Sequence, residues 1–530
     1  MDRRTFISSI TAASASSLLA AKPAFAVPGA ARASQRGQGR LGSGPLWTWT
    51  AVELSRAIRL GQISSRQATE SCLQRMHEVN PVTNAVVESL ETEALAAADA
   101  ADRLAARSRN ADLPPLHGVP VTTKINVDLA GHPTTNGIVA FRNAIAREDS
   151  APVANLRKAG AVIIGRTNTP AFSFRWFTEN DLHGRTLNPW LPSRTPGGSS
   201  GGAASAVAAG ISPIGHGNDI AGSVRYPAYC CGIAGLRSSL GRVPSFNPSS
   251  AQNLRAIASQ LMAVEGLLSR SVADLRLALP AFAARDPRDA WQAPVANALG
   301  PLPNAPRVAL VTKLEGVEPE PEVAQGLRIA AGILQRAGFN VEEVTPPRFK
   351  EAAELWSPFV LTESGRSLQN AARQLGDTRI QNAINTWLEV TPLLDLPGFS
   401  QTLGKREQIR RDWQIFMQTY PIVLMPTSWR TPFPPGFRPA GTGGLQGNSE
   451  CAKSMLRYSI PGLACTECAD RRRQRHTDGC PSGGKLVPGR SLLRRRRNHR
   501  ISGQHAIADH RLQGLAGQDR RLPRTGSGRP

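Results

Sequence analysis

Two glycine-rich segments, residues 196–202 and 218–225, constrain the fold of this chain more than any other feature. The first contains Ser199 and the second contains Ser223, 24 positions later. Glycine permits unusual backbone conformations and lets a ligand approach main-chain N–H groups, so a serine in such surroundings can be a nucleophile. A flexible linker is the alternative for Gly-Gly-Ser-Ser-Gly-Gly. Residues 203–210, however, continue as a small-residue helix with a glycine stop, which favours a functional loop.

A lysine lies upstream of both segments, at the end of a short β-branched run. Residues 118–124 read Gly-Val-Pro-Val-Thr-Thr-Lys and predict a buried strand that ends at Lys124. Together with the two serine segments, this run resembles the ordered hallmark motifs of the amidase signature family. The resemblance extends from about residue 47 to about residue 463. Weaker landmarks of the family follow at residues 165–170, 178–180, 188–190 and 231–237.

This resemblance implies a Ser–Ser–Lys amide hydrolase with an α/β fold, a single large domain in which helices cover a mixed, largely parallel sheet. Ser223 matches the family's acylated nucleophile, Ser199 its bridging serine, held in a cis peptide, and Lys124 its base. The oxyanion hole corresponds to the backbone N–H groups of Ile220, Ala221, Gly222 and Ser223. Supporting positions correspond to Ser200, Asp219 and Arg225. The resemblance implies no cofactor and no metal, and it makes a small-molecule amide the expected partner.

The implied chemistry requires a lysine without its proton. A free lysine is protonated at neutral pH, but burial disfavours the charged form and lowers the pKa. A neutral Lys124 can take a proton from Ser199, which takes one from Ser223, and Ser223 then attacks the amide carbonyl. Histidines do not cluster near these residues in the sequence, so a Ser-His-Asp triad is not indicated.

Two positions depart from the family pattern. Ala221 stands where the family usually has glycine, which keeps the backbone N–H and costs energy only if the position needs a positive φ. Asn218 stands where the family usually has threonine or serine. Neither change removes a catalytic atom. We expect Asp219 and Arg225, which flank the nucleophile, to form a supporting ion pair.

The first 26 residues have the features of a twin-arginine secretory signal. Two adjacent arginines precede a mildly apolar stretch and an Ala-Phe-Ala ending, although a short amphipathic helix is the alternative. The signal predicts a bacterial protein that is exported to the periplasm or secreted. Residues 27–45 are expected to link it to the amidase domain at residues 46–463. No other apolar run approaches the roughly 18 residues of a membrane span.

The C-terminal segment, residues 464–530, has a different composition. It contains 16 Lys and Arg but only 5 Asp and Glu. Its net charge of +11 is nearly half of the +23 of the whole chain. A basic arm for nucleic acid or a membrane surface is one interpretation. A zinc site is another, since Cys465, Cys468, His476 and Cys480 have ligand-like spacing. The favoured interpretation is an out-of-frame, disordered tail, because a high-GC gene read in the wrong frame gives such Arg- and Gly-rich sequence.

Codon choice supports the out-of-frame interpretation. Residues 464–473 can be encoded as GCC TGC ACT GAG TGT GCC GAC CGG CGT CGC, which one base later reads Pro-Ala-Leu-Ser-Val-Pro-Thr-Gly-Val. Similar sequence stands at this place in the family. Residues 487–493 shift likewise to Phe-Arg-Glu-Asp-Leu-Cys, similar to the start of the family's closing helix. In the family this segment supplies a late strand and helix of the central sheet, so its loss would impair folding or activity.

Between the two ends, hydrophobic periodicity predicts alternating helices and strands. We expect helices at residues 50–59, 65–79, 91–107, 152–159, 203–210 and 321–337. We expect strands at residues 119–124, 161–166, 307–311, 340–344 and 420–425. This alternation is typical of an α/β fold with a mixed, largely parallel sheet.

Four aromatic residues precede the first serine segment and have two interpretations. They could line an apolar acyl site, but for any single one the core is favoured: Phe172, Phe174, Trp176 and Phe177. Rival functions are a glutaminase-type subunit of a tRNA-dependent amidotransferase, an inactive basic binding protein, and a catalytically dead product of a damaged gene. The export signal disfavours the first rival, because charged tRNA is cytoplasmic, and no nucleic-acid partner is expected.

The out-of-frame interpretation predicts that the gene contains a single-base discontinuity close to the codon for Leu463. Sequencing the gene and restoring one frame should recover an apolar strand and helix after this residue. A restored frame without such a segment would refute the interpretation.

Overall fold

A computed structural model of the chain describes residues 42–108, 112–251, 255–293, 305–314 and 317–435. The predicted export signal, most of the predicted linker, and the whole basic tail with its zinc-like spacing lie outside the described residues. The cysteines Cys72, Cys230 and Cys231 are buried, and none of the three is in a disulfide.

The described residues form short strands and helices of very different lengths. The strands are β1 (Val86–Ser89), β2 (Pro120–Lys124), β3 (Val162–Thr167), β4 (Glu179–Asn180), β5 (Gly184–Arg185), β6 (Ile214–Asp219), β7 (Ala234–Arg237), β8 (Val264–Ser269), β9 (Arg307–Leu310), β10 (Asn340–Glu343) and β11 (Ile422–Leu424). The helices are α1 (Ala51–Arg59), α2 (Ser65–Thr83), α3 (Glu91–Ala105), α4 (Ala151–Lys158), α5 (Gly201–Ala208), α6 (Arg225–Cys231), α7 (Pro248–Ala251), α8 (Ile257–Met262), α9 (Val272–Phe282), α10 (Pro321–Arg336), α11 (Phe349–Leu375), α12 (Thr378–Val390) and α13 (Leu396–Thr419).

The larger sheet has six strands in the order β1-β3-β2-β6-β8-β7. Its centre is parallel, because β2 pairs in parallel with both β3 and β6. The outer strands β1, β8 and β7 join by antiparallel pairing. A second sheet, in the order β10-β9-β11, is parallel throughout. The α/β fold with a mixed sheet covered by helices, predicted from the sequence, is confirmed.

Every residue of β2 and β3 is buried, which explains their β-branched composition. Helices cover both faces of β3, because Ile163 packs with residues of α4 and α9 and Ile164 packs with residues of α2 and α3, as is usual for parallel strands. Val121 of β2 and Ile214 of β6 belong to one apolar cluster with Leu156 of α4 and Leu275 of α9. Strand β2 therefore holds its last residue, Lys124, inside the protein.

Helix α5 is buried along its whole length, which its sequence Gly-Gly-Ala-Ala-Ser-Ala-Val-Ala makes possible. A Cβ on Gly202 would lie 2.4 Å from the backbone nitrogen of Asn168, so only glycine permits this approach. Ala203 and Val207 pack in one cluster with Leu268 of β8. The small-residue helix predicted after the serine pair is present, and it begins directly behind Ser200.

The predicted elements of the N-terminal half agree with the structure to within a few residues. The Thr50–Glu53 capping box is present, with the N–H of Glu53 donating to Thr50 Oγ1 at 3.1 Å and that of Thr50 to Glu53 Oε2 at 2.9 Å. The sequence analysis did not predict strands β6–β8 or the long helices α11, α12 and α13. Within the described part of the chain, no helix combines the length and apolarity that a membrane crossing would need.

Candidate active site

Three segments of the chain meet at the carboxyl ends of β2 and β6. Val121 of β2 pairs with Ile214 of β6 in parallel register, so the two strands end at the same edge of the sheet. Lys124 ends β2, and the loop after β6 carries Ser223. The N–H of Ser200 donates to the carbonyl oxygen of Ser223 at 3.1 Å, which joins the two serine segments.

Lys124 is fully buried and has two polar neighbours at its amine. Its Nζ lies 2.8 Å from Ser199 Oγ and 2.8 Å from Asn218 Oδ1. Its backbone N–H donates to Nδ1 of the buried His216 at 3.3 Å, and Nε2 of that ring lies 2.8 Å from Glu265 Oε2. The lysine is thus held at both its backbone and its amine.

Burial lowers the pKa of Lys124 to about 7, although the carboxylates of Glu265 and Asp219 act in the opposite direction. Taking an ammonium group out of water costs more free energy than these carboxylates return. The amine can therefore exchange a proton near neutral pH. To act as a general base, the amine must be able to lose its proton at the working pH.

Ser199 is 1% exposed and follows a cis peptide bond between Gly198 and Ser199, the geometry that the family resemblance implies. Its carbonyl oxygen accepts a hydrogen bond from Thr169 Oγ1 at 3.0 Å. A Cβ on Gly198 would lie 2.6 Å from the carbonyl oxygen of Arg175, so glycine is needed here for close approach.

Asp219 organises the loop that carries Ser223. Its Oδ1 accepts from the backbone N–H of Gly222 at 2.8 Å, and its Oδ2 accepts from that of Val224 at 3.0 Å. The predicted ion pair is present, with Arg225 Nη2 2.9 Å from Asp219 Oδ1. Burial alone would raise the pKa of Asp219, but Arg225 and these hydrogen bonds hold it well below its usual range.

One of the four expected oxyanion donors has a hydrogen-bond partner in the structure. The N–H of Gly222, expected in that set, is already bonded to Asp219. Within the described residues, no hydrogen bond is assigned to the N–H groups of Ile220, Ala221 or Ser223. Gly222 is also the residue with positive φ, at 97°, so Ala221 causes no backbone strain at its own position.

Tryptophan side chains surround this same loop. Trp176 Nε1 donates to the carbonyl oxygen of Ala221 at 3.1 Å, and Trp356 Nε1 to that of Ile220 at 3.3 Å. Trp387 of α12 lies against both, with ring centroids 5.8 Å from Trp176 and 5.6 Å from Trp356. Trp356 is buried, whereas the other two rings are partly exposed. We call Trp176, Trp356 and Trp387 the tryptophan cluster.

The four aromatic residues singled out from the sequence have different surroundings, and Phe177 lies against Phe433, with ring centroids 6.4 Å apart. Phe174 and Trp176 contact Trp387. Phe172 packs in the apolar cluster of Ile138 and Ile380, as the core interpretation expects. The sequence analysis missed Trp387 and the contact of Asn218 with Lys124. For the contact of Asn218 with Lys124, the one available signal in the sequence was that Asn218 departs from the family pattern.

A family model described as Amidase matches residues 67–461. The chain belongs to the amidase signature family. It is 46% identical over 386 residues, 73% of either chain, to an indoleacetamide hydrolase of Bradyrhizobium diazoefficiens. It is 33% identical over 413 residues, 72% of this chain and 82% of the relative, to a glutamyl-tRNA(Gln) amidotransferase subunit of Synechococcus sp..

A solved structure of 6-aminohexanoate cyclic dimer hydrolase complexed with substrate has a similar fold. It matches with a TM-score of 0.67 and 26% identity, over 79% of this chain and 88% of the other. The protein is an amidase, a hydrolase that cleaves the C–N bond of carboxylic amides.

The lowered pKa of Lys124 predicts a pH-dependent stability. Between about pH 7 and pH 10.4, the unfolded lysine binds a proton that the folded one lacks, so the free energy of unfolding should rise with pH by up to about 1.4 kcal/mol per pH unit. Lys124→Met should lack this rise. Urea denaturation of both proteins between pH 7 and 10 measures the free energy of unfolding at each pH. If this free energy had the same pH dependence in both proteins, the burial argument would be contradicted.

Proposed function

We propose that the amidase works through an acyl-enzyme on Ser223, with Ser199 as the bridging hydroxyl and Lys124 as the base. The observation that supports this proposal most is the 2.8 Å contact between Lys124 Nζ and Ser199 Oγ inside the protein. A buried amine whose pKa is about 7 can accept a proton from a hydroxyl that it contacts.

In the first half of the reaction, neutral Lys124 takes the proton of Ser199, and Ser199 takes that of Ser223. The freed oxygen of Ser223 bonds to the amide carbon, and the carbonyl electrons move onto oxygen. When this intermediate collapses, the C–N bond breaks and the same relay returns a proton to the departing nitrogen. Ammonia or an amine leaves, and the acyl group stays on Ser223.

In the second half, water attacks the acyl carbon and its proton passes to the relay. Ser223 leaves as a hydroxyl when the relay returns the proton, and the carboxylic acid is released. The N–H groups of Ile220, Ala221 and Ser223 are the proposed donors to the oxyanion in both halves. Asp219 supports this role because it holds Gly222 and Val224 on either side of Ser223.

For the substrate we propose an amide with an aromatic acyl group, and indoleacetamide as its first candidate. The Bradyrhizobium diazoefficiens relative carries the name indoleacetamide hydrolase. The tryptophan cluster supports the proposal, because Trp176 and Trp356 donate to the loop of Ile220 and Ala221, and the partly exposed Trp387 lies against both rings. Offset or edge-to-face contacts between aromatic rings add affinity beyond simple burial.

A glutaminase-type subunit of a tRNA-dependent amidotransferase is the second candidate. The Synechococcus relative, named as a glutamyl-tRNA(Gln) amidotransferase subunit, favours it, but at 33% identity rather than 46%.

Export by a twin-arginine signal to the periplasm or outside the cell is also proposed, on residues 1–26 alone, and it favours the small-molecule amidase. The out-of-frame tail remains a proposal of the same kind.

The relay predicts which residues a serine-directed fluorophosphonate probe needs. The probe should label Ser223 in the full chain, and Ser223→Ala, Ser199→Ala and Lys124→Met should each slow labelling by more than about 10³-fold. Ser245→Ala, in a partly exposed loop, should label normally. Mass spectrometry of the labelled peptide measures the site, and labelling that persists in Ser223→Ala would refute the assignment.

The aromatic acyl site predicts a selective loss of activity. Trp387→Ala should lower kcat/KM for indoleacetamide by about 10- to 100-fold, because a large apolar contact is removed. Hydrolysis of acetamide should change by less than about 3-fold, since acetamide is too small to reach the ring. Trp291→Ala, at a ring that is 45% exposed, is the matched control. Equal losses for both amides would contradict an acyl-binding role.

A further inference from the structure

Asn218 and Asn126 form a reciprocal amide pair beside Lys124. Asn126 Nδ2 donates to Asn218 Oδ1 at 3.2 Å, and Asn218 Nδ2 donates to Asn126 Oδ1 at 3.1 Å. Asn218 Oδ1 also accepts from Lys124 Nζ at 2.8 Å. Both lone pairs of that oxygen are therefore in use.

This pairing fixes which atom of Asn218 faces the amine. If the amide of Asn218 were reversed, its NH2 group would face the amine of Lys124 and could donate to the amine lone pair, which would then be turned away from Ser199. A threonine hydroxyl at this position could turn to donate or accept, whereas an amide oxygen can only accept. A neutral amine has two N–H groups and one lone pair. With one N–H directed to Asn218, the lone pair can point to Ser199 Oγ.

A chain of hydroxyl groups continues from Asn126 to the bridging serine. Asn126 Nδ2 donates to Ser173 Oγ at 3.0 Å, and Ser173 Oγ packs 2.9 Å from Thr169 Oγ1, while each of these two hydroxyls donates its one proton to another oxygen. Thr169 Oγ1 donates to the carbonyl oxygen of Ser199 at 3.0 Å. The network therefore holds the base through its amine and the bridging serine through its carbonyl.

The backbone that presents Ser173 is held in a disfavoured conformation. Phe172 and Ser173 have φ of 57° and 55°, and Asn136, whose Oδ1 accepts from Ser173 Oγ at 2.7 Å, has φ of 47°. Three of the six non-glycine residues with positive φ in the described chain thus meet at this junction. L-residues enter this region at a cost in free energy, and such residues gather where a function requires their placement.

We propose that the Asn126–Asn218 pair, anchored by Ser173, is a positioning element that directs the lone pair of Lys124 toward Ser199. The proposal rests on the assignment of Lys124 as the base. A neutral acceptor in this place also avoids stabilising the ammonium form as a carboxylate would. Other groups that act on this amine are Glu265, which contacts His216, and Asp219, which is paired with Arg225 and has Arg237 Nε 3.7 Å away.

Asn218→Asp on the full 530-residue chain is the central test. The rate constant of labelling by the fluorophosphonate probe is measured from pH 5 to 10. This labelling reaction requires the base and the nucleophile, but it does not require a known substrate. A carboxylate in contact with the amine should move the acid limb of this profile up by about 2 pH units. Labelling at pH 7 should then fall by about 100-fold and recover to within a few-fold of the parent near pH 10.

Two further variants provide the controls. Asn218→Thr, which can still accept from the amine, should move the limb by less than about 0.5 pH unit. Asn385→Asp makes the same chemical change at an oxygen that accepts from Gln369 Nε2 at 2.8 Å, outside the network, and should match the parent. As a second readout, Asn218→Asp should narrow the pH range over which the free energy of unfolding rises.

The outcomes separate this inference from the proposed relay. An Asn218→Asp profile that superposes on the parent, or that loses rate equally at every pH, would overturn the positioning role. Undiminished labelling in Lys124→Met would instead overturn the assignment of the base. Loss of labelling in Lys124→Met, together with the upward pH shift of the labelling profile in Asn218→Asp, supports both the base assignment and the positioning role.

Discussion

The desolvation of the Lys124 amine is the constraint on which the rest of this structure depends. A buried lysine is tolerated only if its surroundings satisfy its hydrogen bonds without restoring its charge. Here both contacts of the amine are with neutral oxygens, those of Ser199 and Asn218. Of the two carboxylates that act on the amine, Glu265 contacts the ring of His216 and Asp219 is paired with Arg225. The site therefore contains charge but keeps it away from the amine.

The packing around the amine leaves little space for side chains. Helix α5 is fully buried and made of glycine, alanine, serine and valine, so it brings the serine segment close to β2 and β6. A Cβ on Gly217 would lie 2.7 Å from Ser200 Oγ. Small residues here are part of the chemistry, because they exclude water from the lysine while they bring the serine segments together.

The residues of the proposed relay were identified through the family resemblance, which rests on local motifs whose sequence reflects their own backbone needs. Glycines flank Ser199 and precede Ser223, and β-branched residues precede Lys124. Asn126, Ser173 and Trp387 carry no such signature. Their contacts join positions far apart in the chain, and the helix that supplies Trp387 was not predicted at all. The occupied N–H of Gly222 could not be predicted either, since it depends on how Asp219 is oriented.

The hydrogen bonds from Trp176 and Trp356 to the carbonyls of Ala221 and Ile220 have a mechanical consequence. Under the proposed function, recognition of the acyl group and stabilisation of the oxyanion would share one stretch of backbone, so a displacement of the rings would also move the oxyanion donors. A poorly fitting amide would then displace the N–H groups proposed as oxyanion donors as well as its own contacts with the rings. Selectivity in such an arrangement is expressed in the turnover of a bound substrate more than in how tightly it binds.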